Sequence, residues 1–346
     1  MKYKLKALSI FEFGKRIDSK GNPHQEDCIY PAENHLSDTD RTFILCDGMG
    51  GHDAGEVASA TVCEAMSQSV IDDDAKSNGK FTDAQLLNAV DAAFKALDKK
   101  DTGAIKKMGT TMTFLKLHTA GATIAHMGDS RVYHIRPGEN GSKTQILFQT
   151  EDHSLINDLI KVGELTREEA RQSKQKNIIT RALQPCLTSR PKPDIHHISD
   201  IRPDDYFYMC SDGMLEQPDM EEGDSLRNIF SHLGGDDNRK IEILKSVTED
   251  NSDNHSALII HILDVDDQLS EQSGTPKPTA MPDKNPRANI FDSNKQHVKN
   301  KKITKTTHRH IWFSILLCSL IALVVGLVFY IFQMSRFSKV IPLPIK

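Results

Sequence analysis

The sequence predicts an α+β protein in which one sheet packs on another and helices cover the outside. Three observations point there. Strand-like alternation and helical spacing are both present, yet they do not take turns as regular βαβ units, which disfavours a doubly wound parallel sheet. Strand candidates follow one another in short pairs, and helix candidates are also paired. The 346 residues suffice for one large body with a sizeable core, plus appended segments.

The elements can be justified in order. Residues 42–46 (TFILC) and 206–210 (YFYMC) are apolar runs of strand length. Residues 112–117, 122–127, 131–135 and 256–262 read as further strands, rich in β-branched and aromatic residues. Residues 55–71 carry Val57, Ala58, Thr61, Val62, Ala65, Met66 and Val70 at helical spacing,. Thr82 and Gln85 form a capping box that opens a second helix, with Leu86, Val90, Phe94 and Leu97 on its apolar face,. Leu155-Ile156 and Leu159-Ile160 make another stripe. Gly163 stops that helix, and Thr166 with Glu169 caps the next,.

Charge is divided along the chain. Residues 266–346 hold 12 Lys+Arg against 5 Asp+Glu, which leaves 31 and 43 for residues 1–265, a net charge of about -12. An acidic body argues against nucleic acid as a partner. It suits a site that binds cations. The six cysteines (Cys28, Cys46, Cys63, Cys186, Cys210 and Cys318) form no CxxC pair, so neither a zinc cluster nor a thioredoxin-like motif is indicated. They read as small buried hydrophobes in a reducing compartment.

Residues 311–332 (IWFSILLCSLIALVVGLVFYIF) contain no charge and at 1.5 Å per residue would span roughly 33 Å, enough to cross a bilayer. Trp312 and Tyr330 lie near its ends, where interfacial aromatics sit. Residues 295–309 carry six Lys/Arg and no acid, so the positive-inside bias places the body in the cytoplasm, against the inner face of the plasma membrane. The expected organisation is a body over 1–264, a polar and partly basic linker over 265–310, a transmembrane helix over 311–332 and a short tail over 333–346,.

The chemistry lies in the acids. Asp47-Gly48 follows the run 42–46, and Asp212-Gly213 follows the run 206–210, one residue further on. An acid just past a buried strand sits at the rim of a sheet, and a neighbouring glycine lets the backbone approach a ligand. Gly128-Asp129-Ser130 and Ser252-Asp253-Asn254 are turns of the same kind, and Glu26-Asp27 adds two acids ahead of an apolar residue. An isolated Asp-Gly is usually a turn. Four strand-edge carboxylates that converge would make an oxygen-lined site for Mg²⁺ or Mn²⁺. No HExxH motif accompanies them, which disfavours zinc.

Taken in order, residues 47–56 (DGMGGHDAGE), 108–111 (MGTT), 128–131 (GDSR), 150–154 (TEDHS), 178–182 (IITRA), 210–213 (CSDG) and 253–254 (DN) resemble the motif series of the bacterial type 2C metal-dependent Ser/Thr protein phosphatases, over roughly residues 11–263. The resemblance implies a four-layer αββα sandwich with two Mn²⁺ or Mg²⁺ ions, and a possible third, in a cleft at one end. It implies that Asp47 bridges both ions and that Asp212 and Asp253 complete the ligands of the first. Glu26 and the Gly48 carbonyl contact the second, and Asp129 serves a third. Arg16 is the implied phosphate-binding residue; a bidentate fork suits phosphate oxygens. Residues 155–183 resemble the flap beside the active site.

Three positions depart from the family pattern. Nine residues separate Arg16 from Glu26, more than usual. Glu216 stands where the family often has Asp. Met49 occupies the position of a general-acid His found in some relatives, and His52 lies nearby. The implied activity is hydrolysis of phosphoserine and phosphothreonine on proteins by a metal-activated water, opposing a Ser/Thr kinase. The competing readings are a catalytically weak phosphoprotein-binding or scaffold member of the same fold, and a metal phosphodiesterase acting on small molecules.

Overall fold

Two antiparallel sheets form the centre of the protein. One has the strand order β1 (Lys2–Glu12), β11 (His255–Asp266), β10 (Tyr206–Cys210), β7 (Arg131–Arg136) and β8 (Gln145–Gln149). The other runs β2 (Asp27–Tyr30), β3 (Thr42–Met49), β5 (Met112–His118), β6 (Gly121–Met127) and β9 (Asp194–Ile198), with β4 (Gly109–Thr110) paired to the end of β3. These come from a computed structural model that describes residues 1–266 apart from 16, 18–20, 51–53, 75–78, 104–106, 140–141, 167–168, 171–172, 174 and 176–177. The apolar run 311–332, its basic flank and Arg16 therefore lie outside the described residues. Among the described residues no helix is long and apolar enough to cross a membrane.

Period-two alternation sorts each strand's side chains between two cores. Phe43 and Leu45 of β3 and Leu115 and Leu117 of β5 face Phe207 and Met209 of β10 and Leu258, Ile260 and Ile262 of β11 in the layer between the sheets. Ile44 and Cys46 of β3 and Met112 and Phe114 of β5 point the other way. They meet Val62, Met66 and Val70 of α1 (Ala54–Asp74) and Leu86, Val90, Phe94 and Leu97 of α2 (Asp83–Lys100). On the far side, Tyr206, Tyr208 and Cys210 of β10 and Ala257 and Ile259 of β11 pack on Leu226, Ile229, Phe230 and Leu244. Those residues lie on or beside α5 (Asp224–Ile229) and α6 (Asp237–Thr248), which follow the single-turn α4 (Pro218–Glu221). Helix, sheet, sheet and helix thus stack as four layers. Leu45 has no exposed surface, and truncating such a residue to Ala costs about 2–5 kcal/mol.

The local signals read from sequence hold. Thr82 accepts the Gln85 N–H while the Gln85 side chain faces back to the Thr82 N–H, a complete capping box. Ser154 caps α3 (Leu155–Lys161), Gly163 has φ +78°, and Thr166 and Glu169 exchange capping bonds of 2.9 and 3.2 Å. The long β1 is a difference. Lysines alternate with its apolar residues over 2–6, so no continuous apolar run marks it, and it pairs with β11 over eleven residues with one bulge. The last strand of the body runs to Asp266.

Candidate metal centre

Antiparallel pairing brings the predicted acids to one end of both sheets. Asp47 and Gly48 close β3, and Asp27 opens β2 directly opposite Asp47. Residues 128–130 join β6 to β7, Asp212 follows β10, and Asp253 precedes β11. Since β10 is flanked by β7 and β11, the C-terminal end of β10 lies beside the N-terminal ends of both. That places Asp212 among Asp129 and Asp253 despite their separation in sequence.

Polar stitches lock the two sheets together at this end. Ser211 Oγ donates to Asp27 Oδ2 at 2.9 Å. Glu26 N–H donates to Asn254 Oδ1 at 2.9 Å, and Asn254 Nδ2 donates to the His24 carbonyl at 2.7 Å. Thr111 Oγ1 lies 2.7 Å from Ser130 Oγ and accepts the Asp47 N–H at 2.9 Å. The Asp47 carbonyl takes the Thr111 N–H and the Thr110 hydroxyl, each at 2.8 Å. Both backbone groups of Asp47 are therefore fixed before its carboxylate meets a ligand, which is the preorganisation a cation site needs,.

Glu26 reaches the cluster past two glycines. Its carbonyl accepts the Gly48 N–H at 3.0 Å and the Ser59 hydroxyl at 2.6 Å. A Cβ on Gly55, at the start of α1, would fall inside the Glu26 carboxylate, 2.8 Å from Cδ, and 2.9 Å from the Gly48 carbonyl carbon. A Cβ on Gly48 would meet the Glu26 carbonyl at 2.6 Å. Side chains at 48 or 55 would occupy the space these groups now share.

The electrostatics are those of crowded like charges. Burial first, then Asp212, Asp27, Asp129 and Asp253, push Asp47 well above the usual carboxylate range. Asp27 rises to about 8, chiefly through burial; the Ser256 and Ser211 hydroxyls offset part of this and Asp212 and Asp253 add to it. Asp129 also rises to about 8, through burial and then Asp212 and Asp152. Like charges directly opposite on paired strands destabilise a sheet, as at Asp27 and Asp47. Dications reverse the sign of that interaction.

The residues present fit such ions. Asp27 Oδ1 and Asp129 Oδ1 are buried without a hydrogen-bond partner, an expensive state for a carboxylate unless something positive meets it. The converging donors are all oxygen, which suits hard cations such as Mg²⁺ and Mn²⁺.

The structure brings together Asp47, Gly48, Glu26, Asp129, Asp212 and Asp253. Arg16 and His52 lie outside the described residues. The Glu216 carboxylate accepts the Ser252 N–H at 2.9 Å and the Asp253 N–H at 2.7 Å, so it holds the Asp253 loop. The extra methylene relative to Asp supplies that reach. Ser211, Asn254 and the Thr110-Thr111 pair were not singled out individually, because hydroxyls and amides carry no distinctive spacing. His24, with ring nitrogens 3.8 Å from Glu26 Oε1 and 3.9 Å from Glu56 Oε2, was also missed.

A four-layer sandwich with an oxygen-only acid cluster at one end of its sheets is the architecture of a protein built to hold hard cations. The profile of the family "Protein phosphatase 2C" matches residues 14–243. Serine/threonine protein phosphatase PstP of Mycobacterium tuberculosis is 31% identical over 271 residues, 71% of this chain and 47% of PstP. The chain thus spans about half of that relative's length. Protein phosphatase PhpP of Streptococcus pneumoniae is 34% identical over 191 residues, 55% of this chain and 72% of PhpP. The crystal structure of the catalytic domain of PstP in complex with two manganese ions superposes with a TM-score of 0.57 at 25% identity, covering 75% of this chain and 99% of that domain. The chain belongs to the protein phosphatase 2C family.

Proposed function

We propose that this chain hydrolyses phosphoserine and phosphothreonine on proteins with the help of two Mn²⁺ or Mg²⁺ ions, and that its apolar segment 311–332 anchors it to the membrane with the body in the cytoplasm. It is a serine/threonine protein phosphatase. The observation that carries the reading is the convergence of Asp27, Asp47, Asp129, Asp212 and Asp253, which raise one another's affinity for positive charge.

Asp47, Asp212 and Asp253, with Glu26 and the Gly48 carbonyl, hold the ions in this reading, and Asp129 holds a third. Bound dications supply Lewis acidity towards phosphoryl oxygens and lower the pKa of water. The chain's own part is positioning. The 110–111 hydroxyls fix Asp47, Glu216 fixes the Asp253 loop, and Ser211 ties Asp27 to the opposite sheet. Arg16 grips the phosphate of the substrate. Its charge and fork geometry support that role. A Ser/Thr kinase whose phosphorylation is reversed is the natural partner.

Anchoring is supported by the uncharged run 311–332 and the six basic residues over 295–309,. Phosphate release from a phosphothreonine peptide with Mn²⁺ tests the activity. We expect release to stop with EDTA and to fall by at least about 100-fold in Asp212→Asn, since removing one electrostatic stabiliser costs 10²–10³ in rate. An unchanged rate in that variant would refute the assignment. Recovery of the full chain in the soluble fraction after cell lysis would refute the anchor.

A further inference from the structure

We propose that His153 is a positioning residue for Asp129, its side chain clamping Gly128 just before it and coupling that residue to the flap through Asp194 and Arg181. The inference rests on reading Asp129 as a cation ligand. It adds a residue outside the acid cluster that determines how well Asp129 can serve.

Gly128 precedes Asp129 with φ +112°, and a Cβ there would lie 2.6 Å from Thr111 Cγ2. Both polar groups of Gly128 go to His153. Its carbonyl accepts the His153 backbone N–H at 2.9 Å, and its N–H donates to His153 Nδ1 at 3.1 Å. His153 thus holds Gly128 on both sides, its side chain taking the N–H of the Met127–Gly128 peptide and its backbone N–H the carbonyl of the Gly128–Asp129 peptide that leads to the Asp129 carboxylate. Asp129 itself is buried, with one oxygen unpartnered, so a small rotation of that peptide moves a ligand that nothing else holds on that oxygen.

The same bond fixes the histidine's tautomer. With Nδ1 accepting, Nε2 carries the proton, and it donates to Asp194 Oδ2 at 3.1 Å. Arg181 Nη1 donates to Asp194 Oδ1 at 2.5 Å. Main-chain bonds follow the same path: Thr180 N–H donates to the His153 carbonyl at 2.9 Å, and Leu155 N–H to the Ile178 carbonyl at 2.9 Å. His153 is buried, and its ring stacks on His126 at 4.5 Å and 6°. Residues 178–181, at the return end of the flap segment, are therefore wired to the Asp129 loop.

His126, His153 and Asp194 each offer a ligand atom within 4.8 Å of the others, which resembles a small metal site. The tautomer argues against it. A metal on His153 Nε2 would place the proton on Nδ1, facing the Gly128 N–H donor to donor. His153 and Asp194 form a hydrogen-bond relay between Gly128 and Arg181, with His126 stacked against it.

The test compares full-length His153→Asn, His153→Gln and His153→Ala. The Asn carbonyl can take the place of Nδ1 and accept from Gly128, whereas the Gln carbonyl sits one bond further out. Partners behind a ligand typically set 10–100-fold in metal affinity. We therefore expect Ala and Gln to raise the Mn²⁺ concentration for half-maximal activity by about 10-fold or more, with the rate recovering at saturating Mn²⁺, and Asn to stay near the parent. Calorimetry should show the weakest Mn²⁺ site lost in Ala and Gln and kept in Asn. In an Asp129→Asn background, His153→Gln should shift nothing further. Equal behaviour of Asn and Gln, or a full additional shift in the Asp129→Asn background, would overturn the clamp. Amide exchange at Gly128 in metal-free protein separates the clamp from the reading of Asp129. Fast exchange in Gln with slow exchange in Asn supports the clamp even if Asp129→Asn leaves Mn²⁺ uptake untouched, a result that would sink only the ligand assignment.

Discussion

Gly55→Ala isolates the contribution of Glu26 from the rest of the acid cluster. A Cβ at 55 would stand 2.8 Å from Glu26 Cδ and 2.9 Å from the Gly48 carbonyl carbon. Carbon atoms rest about 3.5–4.0 Å apart, so the carboxylate must retreat by about 1 Å, and the Gly48 carbonyl must give by a similar amount. Both groups are proposed to face the same ion. A misplacement of about 1 Å near the chemistry costs on the order of 100-fold in rate, or about 2.7 kcal/mol of transition-state stabilisation. The helix itself has no reason to object. Gly55 lies in the first turn of α1, and Ala is the better helix former by about 1 kcal/mol, which offsets part of the crowding in the folded state. The expected pattern is a thermal midpoint in EDTA within a few degrees of the parent, with initial rates on a phosphothreonine peptide down about 100-fold. The Mn²⁺ curve should move to higher concentration. In a Glu26→Ala background the same substitution should add little, because the group it displaces is gone. Parental rate and parental Mn²⁺ dependence in Gly55→Ala would refute the geometry.

Two further predictions concern titration. Asp27 lies at about 8 in the fold against 3.8 for a free Asp, so the folded state holds a proton that the unfolded state releases, and metal-free stability falls as pH rises from about 4 to 8. Asp27→Asn should therefore stabilise the EDTA-treated protein at pH 7.5 by on the order of a few kcal/mol, with the gain fading towards pH 4; a variant less stable than the parent at pH 7.5 would contradict the crowding of charge. His126 lies at about 4, chiefly through burial. Its neutral form is favoured by the fold, and stability is lost as pH falls from about 6.5 to 4. His126→Gln keeps a donor for the Glu151 carbonyl, which His126 Nε2 meets at 2.8 Å, and should gain about 2 kcal/mol on the parent between pH 7.5 and pH 5, read from urea melts at the two values.

Sequence and structure agree most closely where a pattern has a single physical cause. Runs 42–46 and 206–210 have strand length and uniform apolarity, and two Asp-Gly pairs after two such runs point to a sheet rim where a single pair would read as a turn. The capping boxes at Thr82 and Thr166 were legible because each needs just two residue types three apart. β8 (QILFQ) and β9 (DIHHI) are short edge strands with half-exposed patterns, which no periodicity separates from loop. α6 buries only Asp237, Lys240, Leu244 and Thr248, and three of those four are polar, so its inner face does not look like one. At the site, the carboxylates could be named from their turns, while the groups that hold them could not. Asn254, Glu216 and His153 act through backbone contacts, and Ser211 through the Asp27 carboxylate, all set by chain segments far away in sequence.

The position of β11 has a consequence for how this enzyme comes into being. The last strand of the body is hydrogen-bonded between the first strand and β10, so β1 has no edge to join until residues 255–266 arrive. Contacts that span the whole body are slow to close, and the exposed β1 edge is meanwhile open to wrong pairing. Asp253 travels with that final strand. A partly made or truncated chain therefore lacks both the lynchpin of its sheet and one of its carboxylates, and phosphatase activity should switch on only when the body is finished.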